Sequence, residues 1–213
     1  WITLFCFTFQ FYFDFSGYVD MATGSALMFN IKLPINFNSP FKAKSIKEFW
    51  QRWHITLTNF LTFYIYMPLL KSFKNINTIS VSVVTIFVFL VAGIWHGPSW
   101  NFLIFGFMHG IAIVFNNTFT FKNLFNDKIK WLITFLYVSF SFIFFRASSF
   151  YEAMQMFQNL FFFSPDNINL YFSSVFDLNS YVFIRANLIL LLSFYICKYC
   201  SNSNDIAINF RVS

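Results

Sequence analysis

Five stretches of this chain are apolar over a length that matches a lipid bilayer: residues 1–30, 79–95, 102–119, 131–145 and 181–199. A spanning helix needs about 20 mostly apolar residues, rising about 1.5 Å each across roughly 30 Å of hydrocarbon. In lipid every backbone N–H and C=O must be satisfied within the protein, which leaves helices or a closed barrel. No segment alternates with the period of two that a barrel strand requires. The expected fold is therefore all-α: a polytopic membrane helical bundle with re-entrant or amphipathic helices, forming a single membrane domain over residues 1–213. Charge agrees. Of 213 residues only 10% are charged, with 14 Lys and Arg against 8 Asp and Glu, whereas a soluble domain carries about 25%. That excludes an ordinary soluble enzyme and a disordered chain. The net charge of +6 sits in short loops between apolar runs, so the expected partner is the bilayer and not nucleic acid.

The chain opens with Trp1 already inside an apolar run. With no basic stretch or small-residue cleavage site ahead of it, the start is not read as a signal peptide. The chain is expected to be the C-terminal portion of a longer protein. Lys32, Lys42, Lys44, Lys47, Arg52, Lys71, Lys74, Lys122, Lys128 and Lys130 are expected on the cytoplasmic side, with Lys198 and Arg211 returning there. The positive-inside rule then turns His96 toward the far side of a cytoplasmic (inner) membrane. Residues 45–70 are of another kind. Pro34, Pro40, Asn36 and Asn38 mark a loop, and Ser45-Ile46-Lys47-Glu48 is an S-x-x-E helix start. Phe49, Trp53, Leu57, Phe60, Leu61 and Tyr64 then form a helical stripe, as in a helix that lies in the interface or re-enters the membrane. Tyr151 to Phe161 is a second amphipathic candidate. The 37 phenylalanines are read as compositional bias.

Polar side chains inside a membrane protein need a reason. Three histidines head the candidates, since imidazole exchanges protons near neutral pH. His96 lies between Trp95 and Trp100 and between Gly93 and Gly97; an interfacial histidine flanked by anchoring tryptophans is as good a reading as a catalytic one. His54 follows Phe49-Trp50-Gln51-Arg52-Trp53, where a snorkelling polar residue is the competing account. His109 falls inside Gly106-Phe107-Met108-His109-Gly110, a G-x-x-x-G that favours a buried histidine bonded to a neighbouring helix. Asp14 and Asp20 are expected mainly as structural partners of Arg52 or Arg185. Cys197 and Cys200 are read as inert thiols, and no metal site is expected. Nothing resembles a Walker loop, G-x-S-x-G or H-E-x-x-H.

Four motifs, in order, resemble the membrane-bound O-acyltransferase family: Phe11-Tyr12-Phe13-Asp14-Phe15-Ser16-Gly17-Tyr18-Val19-Asp20-Met21-Ala22, then Phe49-Trp50-Gln51-Arg52-Trp53-His54-Ile55-Thr56-Leu57-Thr58, then Gly93-Ile94-Trp95-His96-Gly97 with Trp100, then Phe144-Phe145-Arg146-Ala147. The alginate O-acetyltransferase branch is the nearest, with teichoic-acid D-alanyltransferase a cousin. The resemblance implies a helical fold around a tunnel in which a thioester donor and a hydroxyl acceptor meet from opposite faces. By carry-over His96 takes the place of the family's invariant catalytic histidine and His54 that of a second active-site polar residue. Trp95, Trp100, Asn101, Asp14 and Arg52 are the candidate substrate-binding residues. Where the family has an Arg-Asp pair this chain has Thr62-Phe63, and Leu70-Lys71 stand where it has glycines.

The expected reaction is acyl transfer, most simply of acetyl, from a cytoplasmic thioester (acetyl-coenzyme A or a carrier-linked thioester) to hydroxyls of an extracytoplasmic polysaccharide of alginate or peptidoglycan type. An extracytoplasmic glycan or a periplasmic partner acyltransferase would receive the group. His96 would be the general base, and His54 would orient it or bond the acyl carbonyl. The thioester is a co-substrate, so no bound cofactor is expected. Alternatives are D-alanyl transfer to teichoic acid, a transporter using Asp14, Asp20 and the histidines as a proton relay, or a non-catalytic scaffold.

Overall fold

A computed structural model describes residues 1–118, 125–162 and 180–206, with side chains omitted over 180–183. Helices dominate, and no strand occurs among the described residues. Helix α1 runs Ile2–Met28. A loop containing a 3-10 turn at Pro40–Lys42 leads to the short α2, Ile46–Trp50. Next come α3 (Ile55–Leu61), a π-helical turn at Thr62–Tyr66 and α4 (Met67–Lys71). The hairpin of α5 (Thr78–His96) and α6 (Trp100–Thr118) follows. Then come α7 (Asp127–Ser141), α8 (Ile143–Arg146), α9 (Phe150–Phe161) and α10 (Ser180–Tyr199).

Helices therefore occupy all five apolar stretches. Among the described residues, two segments are long and apolar enough to cross a membrane on composition alone: Thr78–His96, with mean hydropathy 2.3, and Asp127–Arg146, with 1.5. On α5 the apolar surface goes all the way round. Val84, Val88 and Ala92 are buried against the protein, while Ile79, Val83, Phe87 and Ile94 form an exposed stripe on another face. A stripe of that kind is stable only against lipid or further protein. Asn77 caps α5 reciprocally with Ser80, which satisfies two of the orphan N–H groups at the helix start.

The expected single helix over 45–70 is broken. Ser45 caps α2 by accepting from the Glu48 N–H, as the S-x-x-E motif predicts. The Glu48 carboxylate, however, reaches the N–H of Lys44. After Trp50 the chain leaves the helix and His54 takes up a left-handed conformation at φ 43°. Such a conformation costs a residue with a Cβ about 1–2 kcal/mol. Asn36 explains the break: its carbonyl accepts from the Ile55 N–H at 3.0 Å and its Oδ1 from the Thr56 N–H at 3.1 Å. A loop residue 20 positions away thus caps α3. The stripe divides at the same point, with Phe49 and Trp53 in the core and Phe60 and Tyr64 exposed. The π turn just before Pro68 makes room for a ring that lacks an N–H and would crowd the carbonyl of Tyr64.

Segment 46–54 enters the bundle along α6. The Ile46 N–H bonds Asn116 near the end of that helix, and the Trp50 indole bonds His109 in its middle. The His54 ring comes within 6.3 Å of Trp95 at the end of α5. Lys42, Lys44 and Lys198 gather at the other end of the bundle. Lys44 pairs with Asp127, Lys42 donates to the Cys200 carbonyl and Lys198 lies over the Trp131 ring. Lys122 and Arg211 fall outside the described residues.

Close approach of α5 to α6 rests on glycine. A Cβ at Gly93 would lie 2.3 Å from the Phe102 carbonyl oxygen, and one at Gly106 would lie 2.2 Å from that of Phe89. Small residues at such crossings let backbones touch. Gly106→Ala is expected to force the hairpin apart at a cost of about 1–3 kcal/mol, read as a lower thermal midpoint of the purified full-length protein in detergent.

Candidate functional site

Hydrogen bonding separates the three histidines. His109 is fully buried. The Trp50 indole, which can only donate, gives its hydrogen to Nδ1 at 3.1 Å. Nε2 must then carry the ring proton, which it donates to Ser141 Oγ at 2.9 Å, and Ser141 passes its own to the Val138 carbonyl. Both nitrogens are consumed. His109 ties segment 46–54, α6 and α7 together, the structural role expected for it.

His54 uses one nitrogen. Its Nδ1 lies 3.1 Å from Asn36 Oδ1, and Phe15 packs edge-on against the ring at 4.9 Å. The ring is half-buried. Below it Trp53 is packed among Phe37, Phe41, Phe49 and Phe142, so the backbone at 53–54 has little freedom. His96 uses neither nitrogen in a hydrogen bond among the described residues. It is the last residue of α5, half-buried, and Phe145 and Trp95 each hold the ring at 4.9 Å. Gly97 follows at φ 152°, and a Cβ there would strike the Phe102 ring at 2.9 Å, so the turn after His96 requires glycine.

Trp95 packs near both imidazoles, 4.9 Å from His96 and 6.3 Å from His54 by ring centroids. Phe145 binds His96 to the remainder: it packs on Phe11 at 5.3 Å and on Phe105 at 4.5 Å. The four sequence motifs thus meet in one aromatic cluster. The other candidates are placed differently. Trp100 is 75% exposed at the start of α6. Asn101 is 1% exposed and donates to the Ala147 carbonyl at 2.9 Å, tying α6 to the segment after α8; its Oδ1 has no partner among the described residues. Arg52 pairs with Glu48 and donates to the Asn38 carbonyl, not to Asp14 or Asp20. Asp14 is exposed on α1, and Asp20 accepts from Ser203. Neither aspartate hydrogen-bonds a histidine among the described residues.

Two cavities lie elsewhere. One of about 180 Å³ is lined by Tyr12, Asp20, Asn36, Cys197 and Cys200 among others. The other, about 580 Å³ and mostly apolar, lies between α6 and α7 with Lys44, Lys47 and Lys130 in its wall. Neither is lined by His54 or His96. Sequence reasoning treated Asn36 as a turn marker and did not single out Thr56 or Phe145. The only local signal for Asn36 is an amide in a proline-flanked loop, which does not indicate a partner 18 residues on.

Comparison with known proteins places these motifs. Residues 1–151 match the sequence model of MBOAT, the membrane-bound O-acyltransferase family. The chain is 44% identical over 165 residues to a peptidoglycan O-acetyltransferase of Helicobacter pylori, covering 75% of the chain and 31% of that protein. It is 34% identical over 170 residues to a Pseudomonas aeruginosa protein named "Probable alginate O-acetylase AlgI" (76% of the chain, 31% of the relative). It is 38% identical over 125 residues to a teichoic acid D-alanyltransferase of Streptococcus thermophilus (56% and 30%). The chain spans about a third of the length of these curated relatives.

Because Trp50 satisfies His109, Trp50→Phe leaves a buried ring nitrogen unpaired. A loss of about 1–3 kcal/mol is expected, measured by denaturation of the full-length protein in detergent, with Ser141→Ala behaving likewise from the other side of the ring.

Proposed function

Because the chain belongs to the membrane-bound O-acyltransferase family, we propose that it carries the catalytic histidines of an enzyme that moves acetyl from a cytoplasmic thioester donor to hydroxyls of an extracytoplasmic polysaccharide. The carrying observation is the hydrogen-bond state of the imidazoles. Among the described residues His96 is open at both nitrogens, while His109 is closed at both.

In this reading His96 removes the proton of the acceptor hydroxyl as its oxygen attacks the thioester carbonyl. The C–S bond breaks, the thiol leaves with that proton and an oxygen ester remains. A base placed this way contributes about 10²–10⁴-fold. The aromatic wall of Phe102, Phe105 and Phe145 around His96 would keep water from hydrolysing the thioester. Trp95, beside both imidazoles, is the natural platform for a substrate. The donor would be acetyl-coenzyme A or a carrier-linked acetyl group, and the acceptor a glycan of peptidoglycan or alginate type, reached directly or through a periplasmic partner.

Acetyl is favoured over D-alanyl because the acetyltransferase relatives align with a larger share of the chain. The mass of the group released from the polysaccharide by mild base separates the two. In the full-length protein, His96→Ala is expected to lower polysaccharide acylation by about 10²–10⁴-fold without loss of folded protein. Unchanged ester content in cells carrying that variant would overturn the assignment.

A further inference from the structure

We infer that Asn36 is a positioning residue that holds His54 in the Nδ1–H tautomer, so that Nε2 is left as an open hydrogen-bond acceptor. For its catalytic meaning this rests on the acyl-transfer reading above, but the tautomer follows from hydrogen bonds alone. The Thr56 backbone N–H can only donate, and it donates to Asn36 Oδ1 at 3.1 Å. That identifies the amide atom facing His54 as oxygen and not nitrogen. The Thr56 hydroxyl lies 2.8 Å from the same oxygen and 3.4 Å from His54 Nδ1, so its proton goes to Asn36. His54 Nδ1, 3.1 Å from that oxygen, must then supply a hydrogen; otherwise two lone pairs would face each other.

Of the two sequence-based expectations for His54, to orient His96 or to bond the acyl carbonyl, the consequence differs from the second. A neutral imidazole with its proton on Nδ1 has none to give from Nε2. It can take a hydrogen bond or a proton there, as from the attacking hydroxyl. His54 therefore works on the acceptor side of the reaction, not on the developing oxyanion. The left-handed backbone at His54 fits a residue held in place for function. The restraint has three sources: Asn36 bonds the side chain and caps the following helix, Phe15 from α1 packs the ring, and Trp95 from α5 stands on its other flank.

The test is the nitrogen-15 NMR signature of histidine-labelled full-length protein in lipid, with the His54 signal identified by its loss in His54→Gln. A protonated Nδ1 with an unprotonated Nε2 is expected in the unaltered protein, and the reverse assignment overturns the proposal without need of any Asn36 variant. Asn36→Asp, which keeps an acceptor oxygen in place, is expected to retain the tautomer and transfer within a few-fold of the unaltered protein. Asn36→Leu is expected to lose the tautomer and at least tenfold in transfer per folded molecule. If Asn36→Leu keeps both, Asn36 is only a helix cap and the inference fails. Full transfer by His54→Ala would instead remove His54 from the chemistry, while the NMR outcome would still decide the Asn36 restraint.

Discussion

The indole of Trp50 donating to His109 sets the depth at which segment 46–54 enters the bundle. In an apolar surrounding an unpaired N–H or imidazole nitrogen is costly, so a sliding of this segment by one residue would orphan two groups at once. The bond also occupies the ring nitrogen that would otherwise be free to titrate, and Ser141 occupies the other. From that anchor the chain has three residues, Gln51 to Trp53, in which to turn and present His54. Asn36 completes the turn by capping the helix that follows.

Around this polar anchor the packing is aromatic. Trp53 and Phe142 are nearly inaccessible and touch at 5.5 Å, and Phe11 meets Trp53, Phe142 and Phe145. Rings carry large contact areas with few rotatable bonds, so each contact orders its neighbours at small entropic cost. Phe145 extends that order to His96, which lies at a helix end where fraying would otherwise be expected. Phenylalanines that look like mere compositional bias in one dimension are the material that holds His96 beside Trp95 and joins motifs separated by more than a hundred residues.

Much of this was legible in the chain. Helix positions followed from apolar run length, the start of α2 from its Ser45-x-x-Glu48 capping motif, and the fate of His109 from glycines at 106 and 110. Each of those rests on interactions within a few residues. The break after Trp50 was not legible, because the stripe from Phe49 to Tyr64 has helical spacing and the partner that interrupts it is Asn36. The pairing of Arg52 also escaped, since Glu48 at i−4 competes with two distant aspartates and proximity decides. Asn101 was read as facing substrate, yet its burial against Ala147 depends on where α8 ends.

The amino-acid order alone determined that this is a helical membrane protein and which segments are helices, since lipid leaves the backbone few options and apolar length is a local property. It also brought forward His54 and His96, through motifs carried by contiguous residues. Tertiary structure decided which imidazole nitrogens remain open. That depends on hydrogen-bond partners such as Trp50, Ser141, Asn36 and Thr56, most of which arrive from other elements. A hydrogen bond is specified by distance and direction in space, and neither is encoded by separation along the chain.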